Sequence, residues 1–305
     1  MNSSVRNCWT WVGISLALCF GFSACSKKIS PEAARQLRLD WNLKTTVTAY
    51  LQTGNTDPSW DEAATNALIE FARSRSGLVL DDDWAENIRE DCNAAVKAGC
   101  DDPLVRYLYI RFCMNQINSR EAFADAFSKM QEDMEQSSYP PVRKFYASLR
   151  TLEQVYYADG TNADGRTTSQ LADSMVEELT QMLGDSTTPP EEVYEACNQG
   201  LYELSGGRKR YENCYQQIEP PLFKNWPKES MSWLLKGEVY IQMAWFARGN
   251  GYANTVTDDQ WKSFRKNLAV AEESLNKAWK LNPDDKRIPH EMMTLELGQG
   301  KGRDR

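Results

Sequence analysis

Apolar residues recur at steps of three and four almost throughout the chain, and no stretch alternates as a strand does, so the pattern predicts helices. Ala63, Ala67, Leu68 and Phe71 share one helix face, which Ser59-Trp60-Asp61-Glu62 opens as a capping box and Gly77 closes. Asp82 or Asp83 starts the next helix, with Trp84, Ile88, Cys92, Ala95 and Val96 inward and Gly99 as its stop. Asp102-Pro103 opens another at once, burying Leu104, Val105 and Leu108, and helices joined by so short a turn lie antiparallel. The same punctuation predicts helices near 119–136, 141–158, 168–183, 189–204, 208–218, 228–247, 258–281 and 289–297. Segment 159–169, rich in Gly, Asn, Asp and Thr, is the strongest internal break, and 219–227, with Pro220-Pro221, is the second. The fold class expected is all-α, an array of antiparallel helix hairpins.

Near the end the pattern becomes a motif. Ala271, Leu275, Ala278 and Pro283 place small, bulky and small residues before a proline stop, so that a neighbouring helix can approach closely. This resembles the second helix of a tetratricopeptide repeat, and Trp233, Gly237 and Tyr240 match its first helix, with Lys236 where the family carries leucine. The two halves stand about 22 residues further apart than the family spacing. Thr257-Asp258-Asp259-Gln260 fills part of that gap as a capping box that starts the second helix early, followed by a seam of Trp261, Phe264, Leu268, Ala271, Leu275 and Ala278. The resemblance covers 230–297 and implies a tetratricopeptide-like α-solenoid. Ile288 to Leu297 looks like the first helix of a further repeat, and 298–305 is expected to be a flexible tail.

The first 28 residues read as an address. Arg6, an apolar run from Cys8 to Phe22 and then Ser23-Ala24-Cys25 have the order of a secretory signal, and the run is shorter than the roughly 20 residues of a membrane span. The segment resembles a bacterial lipoprotein signal, with Phe22 where that family usually has leucine. The resemblance implies a signal peptide over 1–24, a lipidated Cys25, a short linker over 25–30 and a helical domain over 31–297. It also implies an exported protein anchored to the bacterial membrane, on the outer membrane where the host has one, since Ser26 rather than aspartate follows the cysteine.

Composition narrows the chemistry. A net charge of −8 argues against nucleic acid as a partner, because phosphate binding needs a basic field. Once Cys8 and Cys19 leave with the signal and Cys25 is lipidated, five cysteines remain. Cys92 with Cys113 and Cys197 with Cys214 flank turns symmetrically and are candidate disulfides, with small buried core residues as the other reading. His290 is the only histidine, which removes Ser-His-Asp, Cys-His and multi-histidine metal sites, and Thr294 stands where a zincin helix needs its second ligand. The acidic pairs Asp81-Asp82, Asp101-Asp102, Asp258-Asp259 and Asp284-Asp285 stand at helix starts and read as caps. No cofactor, metal or catalytic residue is expected.

The leading expectation is therefore a membrane-anchored scaffold that binds a protein or peptide at the cell envelope, an analogy from architecture. Two alternatives stand beside it. One is glycan capture by exposed aromatics, for which Trp60, Trp84, Trp226, Tyr252 and Trp261 are the supply. The other is a hydrolase using Asp and Glu alone, which needs two carboxylates converging at about 5 to 9.5 Å. The address has its own test: cells fed labelled palmitate are expected to mark the protein, and Cys25→Ser is expected to abolish the label. A label that survives the substitution refutes lipidation at Cys25.

Overall fold

The computed structural model describes residues 30–114, 119–157 and 167–300 and is all-helical over them. The signal segment, Cys25, residues 159–166 of the expected break and the last five residues of the tail lie outside the described residues. The helices are α1 (Pro31–Leu43), α2 (Ala49–Thr53), α3 (Asp61–Ser74), α4 (Trp84–Lys97), α5 (Pro103–Cys113), α6 (Arg120–Gln136) and α7 (Pro141–Tyr157). They continue with α8 (Thr168–Met182), α9 (Pro190–Glu203), α10 (Arg208–Asn225), α11 (Ser230–Arg248), α12 (Asp258–Leu281) and α13 (Arg287–Gln299). From α3 onward each packs against the next in the chain. Other contacts skip one helix: α3 meets α5, α7 meets α9, α9 meets α11, α11 meets α13 and α8 meets α10. The helices thus stack in chain order, the odd-numbered ones meeting most often across one intervening helix, around a continuous apolar core.

Most ends fall where the punctuation predicts. Asp102 caps α5 through the amides of Leu104 and Val105, at 2.9 and 3.1 Å. Thr257 and Gln260 close a reciprocal capping box on α12. The box expected at Ser59 does not form: Trp60 takes the cap position, and the Ser59 hydroxyl turns back to Asp57 at 2.6 Å. The seam of α12 is buried at Phe264, Leu268, Ala271, Leu275 and Ala278. Gly237 explains how α11 comes so close to it, since a Cβ there would stand 2.6 Å from the Leu275 side chain.

Three stretches depart from expectation. The break predicted at 219–227 is helix as far as Asn225, running through Pro220 and Pro221. Tyr211, Cys214, Tyr215, Ile218 and Leu222 form one unbroken buried stripe, so burial on both sides of the prolines offsets their missing amide donors. Helix α13 extends to Gln299, two residues into the expected tail, because Gly298 lies against Phe264 and Leu268 and Gln299 donates to Glu272 at 2.8 Å. Finally, α1 and α2 form one rod through a π turn, Lys44–Thr48, in which the Ala49 amide reaches back five residues to the Lys44 carbonyl.

One buried acid ties stability to pH. Glu178 on α8 is only 7% exposed and faces Ser148 and Lys144 of α7 and Glu135 of α6. Burial lifts its carboxyl to about 8; Ser148 and Lys144 pull against the shift, and Glu135 adds to it. Below about pH 4.5 the group is protonated in both folded and unfolded chains. Between there and about 8 only the unfolded chain ionises, so folding takes up a proton and stability falls as pH rises. Glu178→Gln is expected to raise the unfolding midpoint at pH 8 more than at pH 5. An equal change at both would show that this carboxyl titrates normally.

Candidate functional site

The rod touches α3 and α7 and reaches α9 through Arg38. Trp41, Ala49 and Tyr50 give it apolar contacts, but polar groups hold it in place. Arg38 reaches α9, where its Nε donates to Glu192 Oε2 at 3.0 Å and its guanidinium also pairs with Glu195. Arg75, just past α3, pairs with the other oxygen of Glu195 and stands 5.2 Å over the ring of Tyr146, whose hydroxyl donates to Glu192 at 2.8 Å. Arg143 on α7 is buried against the π turn. It donates to Asn42 Oδ1 at 2.8 Å and to the Thr45 carbonyl at 3.3 Å, with the Trp41 ring 5.6 Å away. Burial pulls Arg143 down to about 10, so it stays charged at neutral pH. Burial would raise Glu195, but Arg75 and Arg38 outweigh it and hold the carboxyl below its ordinary value.

Beyond Glu195 the same face is open. Glu191, Glu195, Asn198 and Tyr202 recur at helical steps along α9, and Tyr202 is 72% exposed. Glu238, Gln242 and Trp245 recur in the same way on α11, with Trp245 39% exposed. Between α9 and the start of α13 lies a cleft of about 360 Å³, bounded by Tyr194, Glu195, Asn198, Gln199, Glu191 and Arg287. Arg287 stacks 4.4 Å over Tyr194 and pairs with Glu191 at 3.1 Å and Asp285 at 2.6 Å. The Tyr194 hydroxyl donates to Glu238 at 2.7 Å and accepts from Asn198 at 3.2 Å. Arg150 fixes Gln199 by donating to its side-chain oxygen at 2.8 Å. Burial lifts Glu238 to about 8, with Glu291 and Asp285 pushing the same way, and it lifts Glu203 with Glu153 beside it. Oriented amides, aromatic faces and fixed charges of both signs make this a surface suited to recognition.

The candidate residues read from the sequence lie elsewhere. All five cysteines among the described residues are free thiols, so neither Cys92 with Cys113 nor Cys197 with Cys214 is bridged. Each pair is nonetheless adjacent: burial first and then Cys113 raise the Cys92 thiol, and burial and then Cys214 raise Cys197. Cys92, Cys197 and Cys214 are buried and Cys113 is half-buried against the core, where they fill space as small apolar groups.

The five aromatics do not gather on one face. Trp226 is buried, Trp60, Trp84 and Trp261 are half-buried against the core, and Tyr252 is exposed. The acidic pairs stand at helix starts. A hollow of about 570 Å³ opens over Asp102, yet that carboxylate is committed to structure by Asn55, Leu104, Val105 and Tyr139, all donating at 2.9 to 3.1 Å. His290 is exposed and contacts only Glu291, at 3.0 Å. Among the described residues no three metal-binding side chains gather, and no helix is long and apolar enough to cross a membrane. What the sequence reading missed was the stripe on α9, whose signal is the spacing of Glu191, Glu195, Asn198 and Tyr202 opposite the buried Val193, Ala196, Cys197 and Leu201.

Glu192→Ala is expected to lower stability by roughly 3 kcal/mol, because it removes a fully buried carboxylate from the half-buried Arg38 and from the buried Tyr146 hydroxyl, leaving Arg38 with Glu195 alone. Glu191→Ala, at an exposed pair, is expected to cost about 1 kcal/mol or less. Urea midpoints compare the two, and equal losses would refute the clasp. Compared with known proteins, the chain matches no family model, no curated protein and no solved structure.

Proposed function

We propose that this chain is a non-enzymatic, lipid-anchored scaffold of the cell envelope whose open face on α9 and α11 binds a protein or peptide partner. The observation that carries the reading is the exposure of an aromatic on each of two neighbouring helices, Tyr202 on α9 and Trp245 on α11, the latter resting on Phe264 and Arg248, with Asn198 and Gln199 also on α9. Tyr and Trp are the side chains that dominate protein interfaces, because they bury a large area at small entropic cost. Hydrogen bonds from Arg150 and to Tyr194 hold Gln199 and Asn198 ready, so little ordering cost remains for binding. Short spacing between Cys25 and Pro31, a reach of roughly 20 Å, keeps the face near the membrane.

A photo-cross-linking residue placed at Tyr202 in intact cells tests this. A polypeptide captured at that position, with capture reduced at least about tenfold by Trp245→Ala, is the expected result. Glycan fragments in its place, or no adduct at all, overturn the proposal.

A further inference from the structure

The loop that joins α3 to α4 carries three apolar residues in a row, Leu78, Val79 and Leu80. Val79 is 97% exposed, more than any other large apolar side chain among the described residues, while Leu78 and Leu80 on either side of it are half-buried. The stem beneath them is fixed. Ser76 is buried, its hydroxyl donates to the Arg73 carbonyl at 2.6 Å and accepts from the Leu78 amide at 3.4 Å, and Gly77 turns the chain at a φ of +77°. The tip also stands beside the start of the rod. A Cβ on Gly77 would lie 3.8 Å from Arg35 Cγ, and Arg35 is little more than one helical turn past Pro31. Cys25 in turn is within a reach of roughly 20 Å of Pro31.

We infer that Leu78, Val79 and Leu80 dip into the lipid bilayer as a shallow second contact beside the acyl anchor, so that the helical array meets the membrane with its α3–α4 loop. This rests on lipidation of Cys25, which keeps the bilayer within reach of the loop. A short tether lets the protein turn at the surface and makes the second contact intramolecular, so a tip too small to hold a bilayer from solution suffices to choose the orientation. Apolar side chains at the interface leave water without needing a shaped partner. The residues that follow set the depth. Asp81, Asp82 and Asp83 are all exposed, and carboxylates stay in water, so penetration ends at Leu80. The same three carboxylates repel anionic headgroups, so the lipid that fits is zwitterionic.

The test uses the full lipidated chain in phosphatidylcholine vesicles, with a photo-cross-linking residue at Val79. An adduct to phosphatidylcholine is expected there, and the same residue placed at Asp82 should give at least about tenfold less. With the cross-linker moved to Leu78, Val79→Asp should cut the lipid adduct at least about tenfold, whereas Val79→Ile should keep it. Val79 buries almost none of its surface, so neither change disturbs the fold. Vesicles rich in phosphatidylglycerol should lower the yield at Val79. Equal yields at Val79 and Asp82, a yield that rises with phosphatidylglycerol, adducts to residues 25–29, to a second copy or to another polypeptide, or no adduct at all overturn the inference, and palmitate still present on Cys25 then leaves the anchor standing. A chain without that palmitate overturns the anchor, and this inference with it.

Discussion

The position of the N-terminal rod rests on one electrostatic requirement: an ionised carboxylate in a low-dielectric interior must be matched. Glu192 is fully buried, and its oxygens are satisfied by Arg38 from α1 and Tyr146 from α7, with Arg75 close by. Those partners come from three separate parts of the chain. Satisfying them together fixes the rod against α3, α7 and α9. The π turn follows from the same demand. Arg143 makes no ion pair among the described residues, Glu192 acting on it at longer range, and the turn at Lys44–Thr48 supplies the Thr45 carbonyl while Asn42 supplies its amide oxygen.

The clasp also divides the surface of α9. What lies before Glu195 is covered by the chain itself, and what lies after it is open and carries the exposed Tyr202 and Trp245. Glu195 belongs to both halves, since it is an ion-pair partner on one side and a wall of the cleft on the other. A disturbance of the rod is therefore felt at the edge of the open face through one shared side chain. The amides there are fixed by hydrogen bonds, Gln199 between Arg150 and Glu195 and Asn198 on Tyr194.

Helix ends were legible because caps are local: Asp102, Thr257 and Gln260 act on amides within three residues of themselves. Where a competing partner stood equally near, the local rule failed, as at Ser59, whose hydroxyl turns to Asp57. Pro220-Pro221 misled for another reason. A proline pair reads as a stop, but the cost of two missing donors is fixed, whereas the stripe from Tyr211 to Leu222 gains from every residue it buries. The cysteine spacing placed each pair correctly as neighbours and said nothing of distance, which the separation of helix axes sets.

The sequence by itself determined most of the helices and their order, since periodicity and caps are properties of neighbours in the chain, whereas the fit of Gly237 against Leu275 joins two separate helices. Only the tertiary structure decided where the rod lies, that Arg38 and Arg143 are interior groups, and which face of α9 stays open. In sequence, Arg38 and Glu192 are two ordinary charges 154 residues apart. A charge carries no mark of the partner it will meet, and only the folded array brings the two close enough for desolvation to make the meeting obligatory.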